Sequence, residues 1–290
     1  MWVMYALASA FFAGSMSFLA KIGIKNTNSN LVTALRTIVV FIFACIMVVV
    51  VGSQNTVTEI SNKNLIFLIL SGLATGGSWL CYFRALQIGN VNKVVPVDKS
   101  ATVLTMLLSF IFLNEGITWL KVTAMIFIGI GTYLMIDYKE DSKESGPGLK
   151  WLLYAILAAV FASLTAILGK VGITGIESNL GTAIRTAVVL VLAWAIVFGQ
   201  KKQKEIKTID RRSWIFILLS GIATGLSWLC FYRALQDGPA SIVVPIDKLS
   251  ILVTIFFSGM FLREKLNKKS SIGLILIIVG TLSLLVKAQT

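Results

Sequence analysis

Residues 72–99 read GLATGGSWLCYFRALQIGNVNKVVPVDK, and residues 221–248 read GIATGLSWLCFYRALQDGPASIVVPIDK. The two stretches agree at 18 of 28 positions without a gap, at an offset of 149 residues. The same offset lays Trp2 on Trp151, Lys21 on Lys170, Arg36 on Arg185, Glu115 on Glu264 and Gly131 on Gly280. Self-similarity on this scale marks a duplicated structural unit. The chain is therefore expected to divide into a first repeat at 1–139, a linker at 140–149 that takes in most of the mixed-charge run KEDSKESGPG, and a second repeat at 150–290.

Working outward from the repeat, 57% of the 290 residues are hydrophobic, 13% are charged and the mean hydropathy is +0.87, which excludes a soluble chain. Apolar segments lie near 2–22, 30–51, 65–88, 92–113, 118–137, 150–172, 179–199, 213–236, 240–262 and 270–287. Each is long enough to cross a hydrocarbon core about 30 Å thick as a helix. The fold class read from this is all-α integral membrane, with ten transmembrane helices as two five-helix repeats. Five is odd, so the second copy must enter the membrane from the opposite side, which makes the repeats inverted in topology. What remains between the segments is too short to hold a soluble catalytic or nucleic-acid-binding domain.

The net charge of +13, from 26 Lys+Arg against 13 Asp+Glu, would suggest a nucleic-acid partner in a soluble chain. In a membrane chain it reports orientation, and no nucleic-acid partner is expected. Setting aside Arg36, Arg84, Lys99, Arg185, Arg233 and Lys248, which fall within helices, leaves twenty basic residues, of which sixteen lie on one side of the membrane. The positive-inside rule places those sixteen in the cytoplasm and both termini outside, in a multi-pass protein of the cell membrane. The first apolar segment, beginning Met1-Trp2-Val3-Met4, lacks a basic leader and reads as a retained helix. Histidine is absent, and Cys45, Cys81 and Cys230 all lie in apolar segments without paired spacing. Metal, haem and Cys/His nucleophile chemistry are thus not expected, nor are a cofactor or an enzymatic activity.

Ionisable residues inside a spanning helix cost several kcal/mol unless they are paired or face water, so each needs a reason. Counting from the turns places Lys21, Arg36, Arg84, Asp98 and Lys99 in a cytoplasmic layer, and Lys170, Arg185, Arg233, Asp247 and Lys248 in an outer one. Each layer sums to +3, four bases minus one acid. Arg84–Asp98 and Arg233–Asp247 read as ion pairs bracing their hairpins, while Glu115 and Glu264 read as caps of helix ends or as cross-repeat partners of the layers. Lys99 and Lys248 follow a proline inside an apolar helix and read as substrate contacts. Excess buried positive charge points to an anionic group on the substrate. An alternative use of the acids is proton coupling, with Asp98 and Asp247 as candidates, provided they are not locked to arginines. Near mid-depth, Thr75, Ser78, Trp79 and Tyr82, with Thr224, Ser227, Trp228 and Tyr232, offer hydroxyls and aromatic faces to a cavity, or else pack. Gly72-x-x-x-Gly76 and Gly221-x-x-x-Gly225 read as close helix packing.

FRAL at 83–86, Pro96 and FLNE at 112–115 recur as YRAL at 232–235, Pro245 and FLRE at 261–264. With a tryptophan opening each repeat, this pattern resembles the EamA family of the drug/metabolite transporter superfamily over essentially the whole chain. The resemblance implies a ten-helix transporter with its cavity between helices 1–4 and 6–9 and with helices 5 and 10 peripheral. The family is similar in fold across metabolite exporters, importers and lipid-linked sugar flippases. The expected function is secondary transport of a small polar metabolite by alternating access, or, alternatively, flipping of an anionic lipid-linked headgroup. Trp79, Tyr82, Lys99, Trp228, Tyr232 and Lys248 would contact substrate, and Arg36, Arg84, Asp98, Glu115, Arg185, Arg233, Asp247 and Glu264 would form gates, ion pairs or a coupling site. The expected partners are the small-molecule substrate and membrane lipid, with a monomer sufficient for transport.

Overall fold

In hydrocarbon a helix satisfies its backbone N–H and C=O groups within one segment, so apolar stretches of this length have little alternative. The computed structural model describes residues 1–23, 28–88, 97, 100–135, 150–262 and 268–286. Its helices are α1 (Trp2–Gly23), α2 (Ser29–Val51), α3 (Asn62–Ile88), α4 (Ala101–Phe112), α5 (Trp119–Leu134), α6 (Lys150–Gly172), α7 (Ser178–Gly199), α8 (Arg211–Asp237), α9 (Ala240–Lys248), α10 (Ser250–Leu262) and α11 (Lys268–Val286). Two short 3-10 helices, Ser53–Glu59 and Lys202–Thr208, occupy matching loops 149 residues apart. Among the described residues, eight stretches are long and apolar enough to cross a membrane, and α4 and α5 are apolar but shorter. The sequence predicts ten such stretches. The two short ones adjoin residues 89–96, 98–99 and 136–149, which lie outside the described residues and include the whole of the expected linker at 140–149.

Helix starts repeat in role while differing in residue. The Asn28 side chain accepts from Asn30 N and Leu31 N at the start of α2. Its repeat mate Glu177 accepts from Asn179 N and Leu180 N at the start of α7. Asp210 caps α8, accepting from Ser213 N at 3.0 Å and Ser213 Oγ at 2.6 Å. These two bonds favour the carboxylate and hold Asp210 below its usual range. A depressed carboxyl contributes stability that is present above its unfolded pKa and lost as pH falls through the folded one. Asp210→Ala is therefore expected to lower the melting temperature near pH 7 by about 2 °C. The deficit should shrink as the pH is taken below the ordinary carboxylate range, and melting curves at several pH values measure it.

One expected helix is interrupted. The stretch 240–262 breaks at Leu249 into α9 and α10. Pro245 lies inside α9. It removes one amide donor and crowds the carbonyl four residues earlier, which weakens the helix just before the break.

The chain forms two compact units, each drawn from both halves of the sequence. The first comprises Met1–Leu73, Leu168–Gly238 and Asp247–Glu264. Within it α1 runs along α8 and α10, and α2 along α7 and α8. A Cβ placed on Gly72 would come 2.7 Å from Val188 Cβ, and one on Gly221 would come 2.8 Å from Val39 Cβ. Each contact becomes the other when both numbers are shifted by 149, so the two halves touch reciprocally. Glycine permits these approaches because no side chain intervenes.

The second unit comprises Ala74–Ile167, Pro239–Ile246 and Lys265–Thr290. Here Ser78 Oγ donates to the Ala158 carbonyl at 3.1 Å, and Tyr82 packs with Trp151 and Tyr154 around Ala85 and Ala155. α5 runs along α11. A Cβ on Gly131 would lie 2.6 Å from the Gly273 carbonyl oxygen, where only backbone could yield. Gly131→Leu is expected to cost about 1–3 kcal/mol of stability through overpacking. Gly116→Leu should change it little, since nothing lies within 4 Å of a Cβ there. Thermal unfolding of the two variants in detergent compares them.

Candidate functional site

Most buried polar groups of the first unit lie on α1, α2, α3, α7 and α8. Arg36 projects from α2, and its Nη2 donates to Thr224 Oγ1 of α8 at 2.7 Å. Thr224 spends its own proton on the Ser220 carbonyl at 2.6 Å, so its lone pairs are left for Arg36. The buried Nε of Arg36 has no hydrogen-bond partner among the described residues. None of the ion pairs found among those residues involves Arg36.

Its repeat mate Arg185, on α7, is 3% exposed. Arg185 Nε donates to Ser71 Oγ at 3.1 Å, and the guanidinium carbon lies 4.6 Å from the Trp228 ring centre and 4.8 Å from that of Tyr232. Both distances suit cation–π attraction, which strengthens where water is excluded. Tyr232 is itself 2% exposed. Each arginine thus reaches a hydroxyl of the other repeat. Shifted by 149, Thr224 corresponds to Thr75, one helical turn beyond Ser71.

The expected hairpin pairing differs from the structure. Arg233 Nε lies 3.3 Å from Asp237 Oδ2, and its Nη1 donates to Gln236 at 3.2 Å. Asp237 sits one turn along the same helix, within reach without ordering a second element, and this outcompetes Asp247. Asp247 instead accepts from Ser9 Oγ of α1 at 2.6 Å, and Ser9 Oγ lies 3.3 Å from Ser227 Oγ. Lys248 is exposed and makes no hydrogen bond or ion pair among the described residues.

In the second unit Glu115 does cap a helix, though not its own. Its carboxylate accepts from Ala240 N at 2.6 Å, from Ser241 N at 2.9 Å and from the Ser241 hydroxyl, at the start of α9. Backbone donors and the positive end of the helix dipole both favour an anion there. Trp79 and Tyr82 are half-buried and Arg84 is exposed. Asp98, Lys99, Glu264 and the side chain of Lys21 lie outside the described residues.

Trp228, Tyr232 and Arg185, assigned on sequence to different roles, are brought together on one face. Ser71 and Ser9 escape sequence reasoning. Ser71 carries a detectable signal, because its repeat mate is Ser220, directly before the second GxxxG. Ser9 carries none, since its mate is Ala158.

This arrangement of apolar helices and recurring contacts can be set beside known proteins. The sequence matches the profile of the EamA-like transporter family at residues 1–137 and again at 149–286. The chain belongs to this family. Among its relatives, an uncharacterized transporter in the cobO 3′ region of Sinorhizobium sp. is 45% identical over 136 residues, covering 47% of this chain and 96% of the relative. An S-adenosylmethionine uptake transporter of Rickettsia bellii is 26% identical over 219 residues, covering 74% of this chain and 70% of its own. A crystal structure superposes with a TM-score of 0.79 at 14% identity, over 99% of this chain and 97% of that one, a likeness of fold. The protein is thus a multi-pass membrane member of a family of transporters.

Proposed function

We propose that this EamA-like chain is a secondary transporter for a small polar metabolite bearing a carboxylate, working by alternating access. The observation that carries the reading is Arg36, a cation in a spanning helix with a neutral hydroxyl partner and a buried Nε donor that has no hydrogen-bond partner among the described residues. An uncompensated guanidinium in hydrocarbon is costly, and a planar anion that accepts from its fork offsets the cost. The uptake of S-adenosylmethionine named for the Rickettsia relative involves a solute that carries a carboxylate.

Two inverted repeats, at 1–139 and 150–290 about a linker at 140–149, supply the mechanism. The reciprocal contacts of Gly72 with Val188 and Gly221 with Val39 support a two-fold relation between the repeats. The Sinorhizobium relative, 96% of which is covered by a match of 136 residues, about the length of one repeat, supports the unit's independence. On this reading Arg185, Trp228, Tyr232 and Lys248 line the substrate path beside Arg36.

Thermal stabilisation of the purified protein tests the substrate class, since a ligand of the folded state raises apparent stability by mass action. S-adenosylmethionine or methionine is expected to raise the melting temperature, and their decarboxylated counterparts are not. Equal stabilisation by the decarboxylated compounds, or by none of the four, would count against a carboxylate substrate.

A further inference from the structure

Asp247 lies in the last turn of α9, two residues after Pro245 and just before the break at Leu249. It belongs to the spanning stretch Ala240–Phe257. The side-chain partner of its carboxylate is the Ser9 hydroxyl at 2.6 Å, and Ser9 in turn neighbours Ser227. Ser9 is fully buried and Ser227 is 4% exposed. None of the ion pairs found among the described residues involves Asp247. The arginine expected to neutralise it is held by Asp237 instead.

Among the described residues, the surroundings otherwise hold little that could compensate a negative charge. From α1 the facing group is neutral Ser9, with Tyr5 one turn before it and Lys21 about three turns after. From α8 come neutral Ser227, Tyr232 under the Arg185 guanidinium, and Arg233 bound to Asp237. On its own segment Lys248 is exposed, and Glu115 caps the opposite end of α9. Asp247 also sits at the negative end of the α9 dipole, which disfavours an anion. A carboxylate in hydrocarbon without a counter-charge is expensive when ionised and tolerable when protonated.

We infer that Asp247 is the proton-carrying group of the transport cycle, with Ser9 and Ser227 as the hydroxyls that hold it in both protonation states. The inference rests on the transport reading above and adds the coupling ion. Its carboxylate takes a proton from water at one face and returns it to water at the other, and only an O–H bond forms and breaks. The Ser9 hydroxyl donates to the carboxylate, and can rotate to accept from the carboxylic acid while donating its own hydrogen bond to Ser227 Oγ.

Infrared difference spectra of the reconstituted protein across pH test the site without any substrate. Wild type is expected to show a protonated-carboxyl carbonyl band that grows as pH falls and is missing in Asp247→Asn. In Ser9→Ala the band should persist but shift, since the acid has lost a hydrogen-bond partner. A band set unchanged in Asp247→Asn would overturn the inference, and if that variant does not fold, an unshifted band in Ser9→Ala would do so. In proteoliposomes with labelled S-adenosylmethionine as the probe, a gradient of about one pH unit is expected to drive up to about tenfold accumulation in wild type. In Asp247→Asn accumulation should fall to about one-fold while exchange persists. Undiminished accumulation in that variant, or accumulation driven by sodium alone in wild type, would overturn it. Absence of any exchange in wild type would count against the choice of substrate class, and the infrared bands would still decide the proton site.

Discussion

Replacing Arg36 by methionine is expected to weaken carboxylate ligands about 100-fold, while leaving the protein as stable as before or more so. Removing one member of a buried, hydrogen-bonded charge pair costs about 2–5 kcal/mol of binding. With no ligand present, the same substitution removes a cation whose partner is a threonine hydroxyl and whose Nε is unused. An apolar side chain of similar length in its place is commonly neutral or stabilising. Arg36→Lys keeps the charge but loses the planar fork, so it should fall between the two. Isothermal titration with the ligand found by thermal screening, together with unfolding curves of the three proteins, separates the effects. Unchanged affinity in Arg36→Met would sink the binding role. Lost stability with affinity intact would make Arg36 a structural residue.

Glu115→Ala is expected to destabilise the protein by about 3 kcal/mol, the larger of the stability effects considered. Its carboxylate satisfies two backbone donors and a hydroxyl at the start of α9. Hydrogen bonds to a charged group are worth about 1.5–3 kcal/mol each, and their loss leaves donors stranded in a half-buried place. Glu115→Gln retains a carbonyl acceptor without the charge, so it should lose about half as much. Ser241→Ala removes one of the three bonds and should cost about 1 kcal/mol. Thermal unfolding measures all three, and the Glu115/Ser241 double mutant reports their coupling. If Glu115→Ala unfolds like wild type, the contact across the repeats contributes nothing.

The reading of Glu115 shows how far the residues speak for themselves. A glutamate closing an apolar helix can be recognised as a cap, but its helix of destination, α9, is 125 residues away along the chain. The arginine pairing fails for a related reason. Counting from the turns places Arg233 and Asp247 at similar depth, yet depth says nothing about azimuth around a helix axis. Asp237, one turn along the same helix, is reached without that uncertainty. Ser9 illustrates a third limit. A lone hydroxyl in an apolar run has no period or spacing to betray it, and its repeat mate is an alanine.

The family, the helical membrane class and the duplication were legible from sequence because each rests on local or periodic quantities. Hydrophobic length against bilayer thickness needs no tertiary contact, and an offset of 149 residues is visible in one dimension. What each of these charged groups meets was decided only in three dimensions. Arg36 has a threonine, Arg185 has two aromatic faces and a serine, and Asp247 has a serine in place of an arginine. Coulomb and hydrogen-bond energies fall off over a few ångströms, so they depend on which faces of two helices meet, and no periodicity along either helix encodes that.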